Sequence, residues 1–141
     1  MDLFKLLPFL EEEELEELAN KIINSETNEF KGVRLVNLLP FLDEEFIGQL
    51  AKFSVQKGKS YHEFLPFLDD DDVDDILLKA AVEHPIKNEF YSLLPFASSD
   101  ALSKLLDLIL KKESEADVNK IYPFLDEDDI SKLFKIIMSQ D

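Results

Sequence analysis

The pentapeptide Leu-Leu-Pro-Phe-Leu stands twice in this chain, at Leu6–Leu10 and Leu38–Leu42. Near copies follow at Phe64–Leu68, Leu93–Ala97 and Ile121–Leu125. Proline fixes φ, removes an N–H and disfavours helical geometry in the residue before it. Pro8, Pro40, Pro66, Pro95 and Pro123 therefore impose the same local event five times, at intervals of 26 to 32 residues. Recurrence on that scale marks a repeat architecture. Pro85 is out of register and reads as a stop signal after a helix.

Aligned on those prolines, the chain shows one template. Seven residues after each proline stand Leu15, Ile47, Val73, Leu102 and Ile130. Ten after stand Leu18, Leu50, Ile76, Leu105 and Leu133, and eleven after Ala19, Ala51, Leu77, Leu106 and Phe134. Fourteen after stand Ile22, Ser54, Ala80, Ile109 and Ile137. This spacing is one face of an α-helix, since a strand would alternate instead. Three residues after each proline come Glu11, Asp43, Asp69, Ser98 and Asp126. Aspartate and serine cap helix N-termini through a side-chain oxygen, and glutamate does so less well. The acids that follow, such as Glu12–Glu14 and Asp70–Asp72, suit the positive end of a helix dipole.

A shorter apolar pattern precedes each proline. It comprises Leu3, Leu6 and Leu7 in the first copy and Val118, Ile121 and Tyr122 in the last. Each unit is thus expected to hold a short first helix, a corner and a longer second helix. The first helix either ends at the proline or runs through it with a kink. The phenylalanine after the proline, with its successor, is expected to plug the corner. The intervening segments, including 24–32 and "QKGKS", read as loops, with Gly58 as a helix C-cap.

The expected fold is all-α, an α-α superhelix of five helix-turn-helix repeats and about ten helices. It would form a single domain over 1–141, with repeats near 1–27, 28–58, 59–85, 86–114 and 115–141. One helix pair cannot bury its apolar face alone, whereas stacked neighbours can. The pattern resembles the α-solenoid class, the architecture of tetratricopeptide, HEAT and armadillo repeats. That resemblance implies a right-handed superhelix and a surface for protein binding. The unit is shorter than a tetratricopeptide repeat and the chain has no tryptophan, so no one family is matched.

Charge narrows the function. The net charge is −16, and Arg34 is the only arginine. Binding nucleic acid needs clustered cations, so nucleic acid and anionic membrane surfaces are disfavoured as partners. A protein or peptide partner, preferably basic, fits better. There is no cysteine, no apolar run of membrane-spanning length and no signal-peptide pattern at the N-terminus. A cytoplasmic protein is the expectation.

No catalytic, cofactor or metal motif stands out. Asp70, Asp72 and Asp74 begin like a calcium loop, but Asp75 replaces the required glycine and Ala81 the bidentate glutamate. His62 and His84 have no metal-ligand spacing, and the serines at Ser98 and Ser99 are explained by capping. The chain is read as non-catalytic, without cofactors. Candidate partner-binding residues lie outside the repeated core pattern: Phe4, Val36, His62 and Tyr91 four before a proline, and Phe53 thirteen after one. The last helix carries Phe134, Ile136 and Met138, candidates for self-association as a homo-oligomer through that helix.

Overall fold

The computed structural model describes residues 1–140. It is all-α apart from one two-stranded ribbon. The helices gather into two compact units, residues 1–69 and the part from Asp70 onward.

The first unit holds α1 (Leu3–Leu6), α2 (Glu12–Ile23), α3 (Leu35–Leu38) and α4 (Glu44–Gln56). The ribbon, β1 (Glu29–Phe30) and β2 (Val33–Arg34), lies between α2 and α3. The unit ends in a 3-10 helix, His62–Phe67. The second unit holds α5 (Asp70–Ala81), a 3-10 helix over Asn88–Phe96, α6 (Ser99–Leu110), α7 (Val118–Ile121) and α8 (Glu127–Ser139). In the first unit α2 packs on α3, and α4 on the 3-10 helix after it. In the second, α5 packs on Asn88–Phe96 and on α6.

The chain runs through the repeated proline. Leu7, Leu39 and Tyr122 keep right-handed helical geometry immediately before it, with φ of −50°, −53° and −45°. The coil then tightens into a 3-10 turn: Leu7–Phe9, Leu39–Phe41 and Tyr122–Phe124. Proline at the start of a turn gives up an N–H that needs no partner. The other two first helices are 3-10 throughout, so the expected short α-helix is reduced to one α turn or to none. All five corners close on one bond. The residue two after the proline donates its N–H to the carbonyl of the residue before it, as in Leu10 to Leu7 at 3.2 Å and Leu125 to Tyr122 at 3.3 Å. That residue is extended, with ψ between 144° and 152°.

The corner is not plugged by its phenylalanine. Phe9 is 80% exposed and Phe96 60%, and Phe41 and Phe124 are exposed too. Phenylalanine ends the turn, and its extended successor leads back inward, so the ring is left on the outside of the bend. The residues just before the proline fill the corner instead: Leu7, Leu38, Leu39, Phe64, Leu93, Leu94 and Ile121 are buried.

The longer helices follow the template. Leu15, Leu18, Ala19 and Ile22 of α2 are buried, as are Ile47, Leu50, Ala51 and Ser54 of α4 and Val73, Ile76, Leu77 and Ala80 of α5. Each large aliphatic side chain so buried contributes about 1.5–3 kcal/mol. N-caps sit where expected. Asp43 accepts from the Phe46 N–H at 2.7 Å, Ser98 from Ala101 at 3.1 Å and Asp126 from Asp129 at 2.9 Å. At Glu11 the tie also runs the other way, its N–H donating to Glu14 Oε1 at 2.9 Å.

Helix ends are closed in three ways. Gly58, at φ 69°, lets the Lys59 N–H reach the Ser54 carbonyl at 2.8 Å beyond α4. Lys112, at φ 62°, does the same after α6, with Glu113 N–H to Leu108 at 2.8 Å. The end of α2 is closed from a distance. Lys59 Nζ donates to the carbonyls of Ile23 and Ser25 and to Asn28 Oδ1.

The segment read as a loop over 24–32 contains part of the ribbon. Lys31 and Gly32 both have positive φ, 48° and 83°, as a two-residue type I′ hairpin turn requires. Phe30 pairs with Val33 and Glu29 with Arg34.

Candidate interaction surface

The exposed phenylalanines that follow the repeated prolines share one setting. Each stands at the end of a 3-10 turn, two residues before the cap of an acidic first helical turn. Phe9 precedes Glu12, Glu13 and Glu14; Phe41 precedes Glu44 and Glu45; Phe124 precedes Glu127, Asp128 and Asp129. Phe96 precedes Asp100, a weaker version, and Phe67 is half-buried before Asp70, Asp71 and Asp72. A ring beside carboxylates on one helix start offers apolar contact and negative charge together. The recurrence of Pro-Phe at five corners was plain in the sequence; its exposure was not.

The residues singled out before the prolines divide. Phe4, Val36 and His62 are exposed. Tyr91 is half-buried and held in place: its hydroxyl accepts from the Asp117 N–H at 2.9 Å, Lys120 lies 4.4 Å from its ring centroid, and Phe90 meets it edge-on at 5.3 Å. Phe53 is half-buried and lines a cleft of about 190 Å³ with Asn20, Ile23 and Phe46. The set is thus three surface residues, one half-buried ring at a cleft and one, Tyr91, tied into its own unit.

At α8, Phe134 and Met138 are exposed, while Ile136 is half-buried. Ile130 and Ile137 join the exposed face instead. Of the template positions on α8 only Leu133 is buried.

Acidic side chains also meet between copies of the template. Asp74, from the calcium-like run, accepts from the Ser98 N–H at 2.9 Å and its hydroxyl at 2.6 Å, which ties α5 to the start of α6. The same template positions in the first unit are Glu16 and Asp43. With Glu12, their carboxylate oxygens lie within 4.8 Å of one another. Glu12 is raised above its ordinary 4.5, first by a hydrogen bond with Asp43 and then by the Asp43 charge. Asp43 is lowered below 3.8, first by the Phe46 N–H and then by Glu12. The pair thus holds a proton more readily on Glu12, and Asp43 stays ionised as a cap. Sequence reading identified Asp43 and Glu12 separately, but only the packing of α2 beside α4 brings them together.

His84 Nδ1 lies 2.9 Å from Glu115 at the surface. No helix among the described residues is long and apolar enough to cross a membrane. Compared with known proteins, the chain matches no family model, no curated protein and no solved structure.

Proposed function

We propose that the chain is a non-catalytic helical-repeat module that binds a basic protein or peptide segment through its Pro-Phe corners. The observation that supports this is the pairing of an exposed phenylalanine with an acidic helix start, repeated along the chain. The most exposed rings, Phe9 and Phe96, add little to the core, yet the residue after the anchoring proline is phenylalanine in every copy. A partner with alternating apolar and Lys or Arg side chains would meet both features. Its cations would find carboxylates and ring faces, and its apolar groups the rest of the ring. Each unit carries such corners, Phe9 and Phe41 in the first and Phe96 and Phe124 in the second, and each corner engaged by the partner would add to the affinity.

The test uses a defined amphipathic peptide of leucine and arginine, with a leucine–glutamate peptide as control. Binding is followed by calorimetry and by NMR shifts of the phenylalanine rings. The basic peptide is expected to bind and to perturb Phe9, Phe41, Phe96 and Phe124. Affinity should fall at least tenfold between about 50 and about 500 mM salt, as screening removes the attraction between exposed charges. Substituting Phe9 and Phe96 by alanine should weaken binding without unfolding the chain. Equal binding of both peptides, or shifts confined to other residues, would refute the reading.

A further inference from the structure

The first and last copies of the template leave opposite halves of one junction uncovered. Inside the units, a long helix is covered by the short first helix of the next copy, as α2 is by α3 and α5 by Asn88–Phe96. The covering residue two before the proline is then sealed: Leu38, Phe64, Leu93 and Ile121 are 2% exposed or less. Leu6, the same position in the first copy, is 49% exposed. On the covered side, the residue eleven after the proline is sealed in four copies, with Ala19, Ala51, Leu77 and Leu106 at 0%. Phe134, the same position in α8, is 62% exposed, and Ile130 and Ile137 beside it are exposed as well.

The N-terminal end also has a receiving shape. A hollow of about 770 Å³ is lined by Met1, Asp2, Leu3, Leu6, Phe30 and Lys31. A second hollow shares Leu3 and Phe30 and adds Leu10, Leu18, two acids, Glu14 and Glu17, and Lys21, whose Nζ lies over the Phe30 ring at 5.2 Å from its centroid. After its acidic first turn α8 carries the opposite charge, with Lys132 and Lys135 and no acid over residues 130–140. Lys132 is engaged with Asp107 at 2.9 Å, which leaves Lys135, next to Phe134, to face Glu14 and Glu17.

We infer that the occupant of the α8 face is a second copy of this chain, docked head to tail. Phe134, Ile137 and Met138 of one copy enter the hollow around Leu3 and Leu6 of the next, and the contact reproduces the junction that each unit already contains. Such a contact is heterologous: each copy offers one knob and one hole, so association does not stop at a pair and continues into a row or a closed ring. It stands on different residues from the Pro-Phe corners and does not depend on the basic partner.

The test is sedimentation of the 141-residue chain and two variants, Phe134→Glu and Leu6→Glu, over about 10–500 µM, a range suited to an association of this modest size. Both sites are exposed, so both variants should keep the helical spectrum of the parent; Met138→Glu replaces Phe134→Glu should that one unfold. The parent is expected to grow in mass with concentration and each variant to stay monomeric. An equal mixture of the two variants should form a pair and stop there, because one variant keeps the hole and the other the knob. A face-to-face pairing of α8 with α8 predicts that Leu6→Glu still associates and that mixing restores nothing. Either of those results, or a parent monomeric throughout the range, overturns the inference.

Discussion

Helices α6 and α8 are written on one template and end in opposite surroundings. Leu102 and Leu106 of α6 are buried, whereas Ile130 and Phe134 at the matching places on α8 are exposed. Both helices begin with a working cap, at Ser98 and Asp126, so the difference does not lie in how the helix is started. It lies in what is packed on the face afterwards. Periodicity determines which side of a helix is apolar; whether that side becomes core depends on a neighbour.

The comparison is broken most forcefully at the position eleven after the proline. Leu106→Ala should cost about 2–5 kcal/mol, the range for emptying a buried leucine site. Phe134→Ala, at the same place on α8, should change the stability of the dilute chain by less than about 0.5 kcal/mol, as exposed substitutions usually do. Urea denaturation of both variants checks the pair, and equal losses would mean that the two faces are equally covered.

Helix ends give a second, smaller contrast, between α2, closed by a remote side chain, and α4 and α6, closed by their own backbone. Lys59→Met should cost about 1–3 kcal/mol, because the last carbonyls of α2 lose a charged donor while the apolar stem is kept. Thermal unfolding measures this. Gly58→Ala should cost about 1 kcal/mol and Lys112→Gly should gain a similar or smaller amount, since only glycine takes a positive φ without steric strain. The same sign for both would deny that the two ends are built alike.

The smallest effect concerns the matched carboxylate sites. Asp74 meets a hydroxyl, whereas Glu16 and Glu12 meet Asp43. Glu12 has its pKa raised in the folded chain, so its contribution to stability is full below 4.5 and is lost as the pH rises through the raised value. Asp43 is lowered, so its contribution is present above 3.8 and is lost as the pH falls through its depressed value. Glu12→Gln keeps a donor for Asp43 and removes the repulsion. It should flatten the pH dependence of stability just above 4.5 and leave that below 3.8 in place. Carboxyl titration by NMR should find Glu12 above and Asp43 below their ordinary values in the parent.

The sequence made the long helices legible because each buried face is a local property of spacing, and the caps at Asp43, Ser98 and Asp126 because they are local too. Gly58 was legible for the same reason. The 3-10 character of His62–Phe67 and Asn88–Phe96 was not, since apolar residues three apart suit either helix. The Lys31–Gly32 hairpin carried a weak signal, one glycine after a lysine between short apolar stretches. The outward turn of Phe9 and Phe96 was hidden because it depends on the direction of the backbone after the corner. Ile136 was counted in place of Ile137 because a broad apolar run does not reveal its own centre. The meeting of Glu12 with Asp43 depends on which helices become neighbours.

The acids beside each exposed ring also govern the behaviour of the chain as a colloid. An exposed phenylalanine invites sticking, and a neighbouring carboxylate opposes it by charge repulsion between molecules. At a net charge of −16 that repulsion is strong, and it vanishes near the isoelectric point of about 4.4. The rings at Phe9, Phe41 and Phe124 stay exposed whatever the net charge. Once long-range repulsion is lost nothing else keeps them apart, and the solubility of this chain should fall steeply as the pH approaches the isoelectric point.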